Sequence, residues 1–182
     1  MKKLILFGAA ISISVAVSAQ HIALKNNLLY DATTTPNLAL EVGLGKKTTL
    51  DLYGGYNPFT FGNHKRFKHW LAQPEFRYWL KKPMEGHFFG VHLHIGAFNI
   101  AVDDRNRYQS PDGFYGAGLS YGYMLPFARH WAAEFTIGAG YVRTKYDVYY
   151  NIPNGARFEK GVPYNYWGLT KAGISLVYRF GK

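Results

Sequence analysis

The sequence contains no cysteine, so neither a disulfide framework nor a thiolate metal site is open to it. Long apolar runs are also missing. The one stretch that approaches them, Leu4 to Val17, falls short of the ~18 apolar residues that a spanning helix wants. It follows Lys2 and Lys3 and ends in Val17-Ser18-Ala19, which is the layout of a removable secretory signal: basic start, apolar run, small-residue cleavage site. Residues 1–19 are therefore read as a signal peptide and residues 20–182 as a single domain. Any further membrane span must be built of strands. Acids are scarce, 11 against 21 basic residues, for a formal charge of +10. A basic, aromatic chain can serve nucleic acid, but an exported one meets none, so nucleic acid is set aside as a partner.

What the chain has in quantity is glycine (20), tyrosine (15) and phenylalanine (13), and it arranges them with a period of two. The end of the chain, Tyr166 to Phe180, puts Gly168, Thr170, Ala172, Ile174, Leu176, Tyr178 and Phe180 on one face and Trp167, Leu169, Lys171, Gly173, Ser175, Val177 and Arg179 on the other. Alternation of this kind is a strand with two unlike faces. Its length suits a tilted membrane-spanning strand of about 9–11 residues rather than a soluble strand of about 5–6. Seven earlier segments alternate in the same way: His21–Asp31, Asn37–Gly45, Thr48–Asn57, Trp70–Leu80, His87–Phe98, Phe114–Leu125 and Trp131–Arg143. Pro74 cannot donate to a ladder, so a bulge or local break is expected there.

Short turns follow the second, fourth and sixth segments. Long polar loops follow the third, fifth and seventh, the longest being Asn99–Gly113 and Thr144–Asn165. An even strand number with short turns at one end and long loops at the other predicts an all-β fold: an eight-stranded antiparallel up-and-down transmembrane barrel of the bacterial outer membrane. A soluble barrel would carry its apolar residues inside. Here Glu41, Asp51, Glu75, Arg77, His92, His94, Glu134, Lys171 and Arg179 share the glycine-rich face, and the aliphatics share the other.

Eight strands leave an interior just wide enough for side chains to fill, and charges there must pair or reach water. Glu41, Asp51, Glu75, Arg77, Lys171 and Arg179 are read as a lumen network that plugs the barrel. His92 and His94, two apart on one face, could ligate a metal with Glu134. The bland reading, hydrogen-bonded filling, is preferred, with no metal and no cofactor. Ser120, His92 or His94 and Glu134 lie on adjacent strands, each about five residues from a turn, which is the chemistry of a nucleophile, base and orienting acid. Ser120 stands in no recognisable motif, so an enzyme is the less favoured class. Lys65, Arg66 and Lys68 lie in the basic cluster His64–His69, which is expected to be a loop able to meet lipopolysaccharide phosphates.

Two resemblances add to this. Lys171, Gly173, Leu176, Tyr178 and Phe180 resemble the C-terminal insertion signal of bacterial outer-membrane barrels, which implies the barrel insertion machinery as a partner. The run Leu24-Lys25-Asn26-Asn27-Leu28-Leu29-Tyr30-Asp31, then Pro36-Asn37, Glu41, Gly55-Tyr56-Asn57-Pro58-Phe59 and His69-Trp70 follow a wider pattern. So do Gln73-Pro74-Glu75-Phe76-Arg77-Tyr78-Trp79 and Gly86-His87-Phe88-Phe89-Gly90-Val91-His92. Together they resemble an uncharacterised family of small outer-membrane barrels widespread in Bacteroidota, the domain of unknown function 3575. The resemblance implies a diderm outer membrane and outer-membrane lipids as surroundings, and names no substrate. The expected role is structural, or surface interaction through the outer loops with an unidentified partner. The alternatives are a lipid-modifying acyl hydrolase or transferase, or a narrow pore.

Overall fold

A computed structural model describes residues 21–62 and 65–181. The expected signal peptide and His64 of the basic cluster lie outside the described residues. The strands are β1 (Ile22–Asn27), β2 (Asn37–Gly43), β3 (Thr48–Asn57), β4 (Arg66–Trp79), β5 (Gly86–Ala101), β6 (Asn106–Gln109), β7 (Phe114–Pro126), β8 (Trp131–Tyr150) and β9 (Arg157–Phe180). One short helix, α1 (Leu28–Ala32), follows β1. All pairings are antiparallel. Hydrogen bonds run from β1 through β2, β3, β4, β5, β7, β8 and β9 and back to β1, so eight strands form a closed ring. The short β6 pairs with β5 and β8 beyond the end of β7. Closure leaves no sheet edge with unpaired backbone groups along the ring.

The alternation read from the sequence sets which residues enter the ring. In β5 every second residue from Gly86 to Gly96 is buried and the intervening ones are exposed. The outer face carries Leu38, Leu52, Phe76, Phe89, Val91, Leu93, Leu119 and Ile137, each about half exposed or more. The inward glycines make room for large neighbours. A Cβ on Gly116 would meet His94, one on Gly118 His92, one on Gly122 Phe88, and one on Gly90 both Glu75 and Ser120.

Four expectations are corrected. The first strand ends at Asn27 instead of Asp31, because the Asn27 side chain accepts from the Leu29 backbone N–H and caps α1; side-chain capping of this kind favours a helix start over a continuing strand. Asn26 bonds Asp31 and the Asn37 carbonyl. The long loops are largely strand: β5 runs on to Ala101, β6 fills part of Asn99–Gly113, and β8 and β9 extend as a ribbon across most of Thr144–Asn165. The basic cluster is not all loop. Arg66 and Lys68 belong to β4, paired with Ala101 and Asn99, and Lys65 precedes the strand. At Pro74 the expected local break is present: the pairing with β5 lapses between Ala72 and Glu75, with the same register on either side.

The fourth correction concerns the terminal strand. Gly138 pairs with Lys171 but Ala139 pairs with Leu169, so Thr170 is an extra residue opposite a continuous β8. One extra residue reverses which face each later side chain takes. Below the bulge the expected faces hold: Ile174, Leu176 and Phe180 point out, while Gly173, Val177 and Arg179 are buried. Above it they are exchanged. Trp167 and Leu169 are strongly exposed outside, and Thr170 turns inward to bond His92.

Candidate functional site

The interior of the ring is stacked in layers. At the short-turn end Ala23, Trp79, Met84, Phe88, Met124, Ala132 and Val177 form an apolar cluster with no residue more than 2% exposed. Above it lies a sealed group of charges. Strand alternation aims one or two inward side chains from each of six strands at the same level: Lys25 from β1, Glu41 from β2, Asp51 from β3, Glu75 and Arg77 from β4, Glu134 from β8 and Lys171 from β9.

Arg77 is the centre. Its guanidinium contacts all four carboxylates: Nε to Glu75 Oε2 at 2.7 Å, Nη2 to Asp51 Oδ2 at 2.9 Å, and Nη1 to Glu41 Oε2 at 3.1 Å and to Glu134 Oε2 at 2.8 Å. Nη2 also reaches Glu134 Oε1 at 3.1 Å, so Glu134 is held in a two-pronged contact. This planar fork of donors is what arginine offers and lysine does not. Below it the guanidinium lies over the Phe88 ring, 4.3 Å from the centroid, where a cation meets the negative face of the ring. Lys25 bridges Glu41, Asp51 and Glu134 at 2.7, 2.9 and 3.2 Å. Lys171 contacts Glu75 at 2.6 Å and approaches Asp51 at 3.8 Å.

The cluster holds four carboxylates against three cations, and hydroxyl groups supply further donors. Thr49 donates to Glu41, Ser120 to Glu75 and Thr136 to Glu134. Trp79 Nε1 donates to Thr49 Oγ1 at 2.9 Å, joining the apolar layer to the charged one. Buried charges are tolerable only when paired and hydrogen-bonded in this way. Glu41, Glu75 and Arg77 have no exposed surface, so the group fills the cross-section of the ring.

Five of the six residues expected in a lumen network, Glu41, Asp51, Glu75, Arg77 and Lys171, meet in this cluster. Arg179 does not. It lies at the short-turn end, where Nη2 donates to the carbonyls of Ala128 and Arg129. Lys25 and Glu134 take part although sequence reasoning did not place them there. The parity of Lys25, opposite to Leu24 in β1, was the available signal.

The hydrolase-like arrangement of Ser120, His92, His94 and Glu134 does not assemble. Ser120 donates to Glu75, and Glu134 is held by Arg77, Lys25 and Thr136. His92 Nε2 faces Thr170 Oγ1 at 2.9 Å. Equal distances from the turns did not bring the groups together because the strands of a closed ring are staggered. Ser120 pairs with Gly138, four residues along β8 from Glu134. Among the described residues no group of three or more His, Asp or Glu side chains is arranged to hold a metal ion. Lys65 and Lys68 are exposed and Arg66 partly so, at the loop end. Leu176 and Phe180 are exposed outside, Tyr178 is half-buried, Gly173 is buried and Lys171 is in the cluster.

Fold and interior together define an all-β protein, a closed ring of eight antiparallel strands around an ion-pair cluster. The chain belongs to the family described as Protein of unknown function (DUF3575), matched over residues 5–180. No curated protein and no solved structure matches it.

Proposed function

We propose that the chain is an up-and-down transmembrane barrel of the bacterial outer membrane, a non-enzymatic protein that presents loops from a closed scaffold. The observation that carries this reading is the inversion of polarity: charges are sealed inside and the outer face is apolar. Side chains such as Leu93, Leu119 and Ile137, 58–68% exposed, form a surface that would aggregate in water and is at rest against lipid. Aromatic residues stand toward both ends of that face, with Tyr78, Trp131 and Phe180 near the short turns and Tyr56, Trp70, Tyr115 and Trp167 near the loops. This is the placing of the two interfacial girdles of membrane barrels.

The closed interior supports a scaffold over a pore. Arg77 and its partners occupy the middle of the ring, and water would have to displace paired charges to pass. The β8–β9 ribbon, the β5–β6 region and Lys65, Arg66 and Lys68 lie at the loop end, where recognition is usually carried; outer-membrane lipids and a surface partner are what they would meet. The test has two parts. The protein should fractionate with the outer membrane and need detergent for extraction, and purified protein in planar bilayers should give no steady conductance. Recovery as a soluble monomer would overturn the membrane reading, and steady single-channel steps would overturn the closed scaffold.

A further inference from the structure

Above the charged cluster the interior opens into a cavity of about 460 Å³, within the range of about 300–1,000 Å³ typical of small-molecule sites. Its walls are aromatic. Phe98 and Phe114 lie with ring centroids 6.3 Å apart, and Tyr146 stands between Tyr108 at 5.7 Å and Tyr164 at 6.3 Å. On its lining stands His94, 2% exposed, whose Nδ1 and Nε2 make no hydrogen bond. The Tyr141 carbonyl lies nearby without the alignment of one. A buried polar group without a partner is costly, and buried polar side chains in native proteins are nearly always satisfied. Of the polar side chains bordering this space, Thr144 donates to the Gly113 carbonyl, Tyr166 to the Leu169 carbonyl, and Thr170 is engaged with His92; His94 is the one whose buried polar atoms have no partner.

We propose that this cavity binds a small, flat, apolar molecule carrying one neutral hydroxyl or carbonyl group, which it directs at His94. A neutral imidazole offers one donor and one acceptor, so it can meet either group. Aromatic walls favour a ring by offset or edge-on stacking, and apolar cavities much smaller than this one take up benzene. A charged head group is disfavoured because the interior cations are already committed. Lys171, on β9 below the cavity, is held by Glu75, and a buried charge without a counter-ion is expensive. The inference uses only the inside of the ring, so it does not depend on the membrane reading.

The experiment uses the folded protein in detergent micelles, with 1-naphthol and naphthalene as probes and heats from empty micelles subtracted. 1-Naphthol is expected to bind saturably and to shift the His94 ring resonances of protein carrying nitrogen-15 histidine. Naphthalene should bind roughly tenfold more weakly, the value of one hydrogen bond of about 1.4 kcal/mol. His94→Leu, which leaves the space nearly unchanged, should bring the two probes to equal affinity, and Val142→Trp, which fills the cavity, should abolish both. Equal binding of the two probes to the unaltered protein would overturn the proposal without recourse to any variant. So would 1-naphthol binding that survives Val142→Trp, since the probe would then lie elsewhere.

Discussion

The two halves of the ring interior are built to different standards. From the short turns up to Lys171 the space is filled, first by Trp79, Phe88 and Met124 and then by the ion pairs around Arg77. From His94 to the loops the strands still pair, yet the interior is an aromatic-walled cavity. All eight ring strands contribute side chains to the filled half, whereas the cavity is lined from β4 to β9 alone. In the filled half small and large residues face each other across strands, Gly122 with Phe88 and Gly118 with His92. The open half has such pairs too, Gly116 with His94 and Gly96 with Phe114, but toward the loops the rings of Tyr108, Tyr146 and Tyr164 meet edge-on around a gap. The filled half fixes the shape, and the open half is free for a task.

The comparison can be broken most severely at its densest point. Arg77→Ala leaves four carboxylates around an empty centre, and breaking a buried pair costs about 3–5 kcal/mol. The unfolding midpoint in urea should fall clearly. Arg143→Ala removes the same side chain from an exposed position near the loops and should change the midpoint by no more than about 1 kcal/mol. Equal midpoints would mean that the interior is wet and the charges are solvated.

Glycine substitutions make a smaller and more local contrast. A Cβ on Gly90 would run into Glu75 and Ser120, whereas one on outward Gly54 meets nothing within 4 Å. Gly90→Ala should destabilise by about 1–3 kcal/mol through overpacking. Gly54→Ala should be neutral or stabilise by up to about 1 kcal/mol through the unfolded chain. Matching losses in denaturant titrations would show that the filled half has slack.

A volume test addresses the halves directly. Val177→Phe in the apolar layer, where Val177 has no exposed surface, should cost about 1–3 kcal/mol. Val142→Phe beside the cavity should cost less than about 1 kcal/mol, because the ring enters space already present. If both cost alike, the cavity closes in solution.

The smallest expected effect is at the tip of the ribbon. The Asp147 carboxylate accepts from the Gly161 N–H at 2.8 Å and from Arg157 Nη1 at 2.8 Å. These contacts, the backbone donor first, hold its pKa below the ordinary aspartate value. A depressed folded pKa stabilises fully above the unfolded value of about 3.9 and is lost as pH falls through the folded value. Hydrogen-exchange protection of the Gly161 amide should therefore be constant from neutral pH down to about 4 and drop below it. The loss should be confined to the ribbon, and a parallel loss at Arg77 would contradict the separation of the two regions.

Much of this architecture is legible in the sequence wherever one rule governs it. Alternation alone places Glu41, Asp51, Glu75 and Arg77 inside and Leu52, Phe76 and Leu93 outside, because one face of each strand is polar and glycine-rich. It fails where a single residue changes the count. Nothing in Gly168-Leu169-Thr170-Lys171 marks Thr170 as a bulge, so Trp167 and Leu169 are assigned to the wrong face. It fails again in the β8–β9 ribbon, where Tyr146, Tyr149 and Tyr164 give both faces the same look and polar residues between them read as loop. The candidate site shows the same divide. Which charges enter the ring follows from parity, but which of them touch depends on stagger between strands, and that separates Ser120 from Glu134.

The origin of the charges in the cluster bears on how the ring is put together. The carboxylates come from β2, β3, β4 and β8, and Arg77 from β4, but Lys25 and Lys171 come from β1 and β9, the two ends of the chain, which meet along the β1–β9 seam. In a sheet that has not yet closed its seam, Lys25 and Lys171 stand on the two free edges, and the contacts of Lys25 with Glu134 and of Lys171 with Glu75 cannot form. Joining first strand to last brings both edge cations against these carboxylates in the same event that completes the hydrogen-bonded circle. Correct closure is thus rewarded electrostatically at the moment it occurs, and a ring sealed without either terminal strand would be left with acid groups facing an interior that cannot neutralise them.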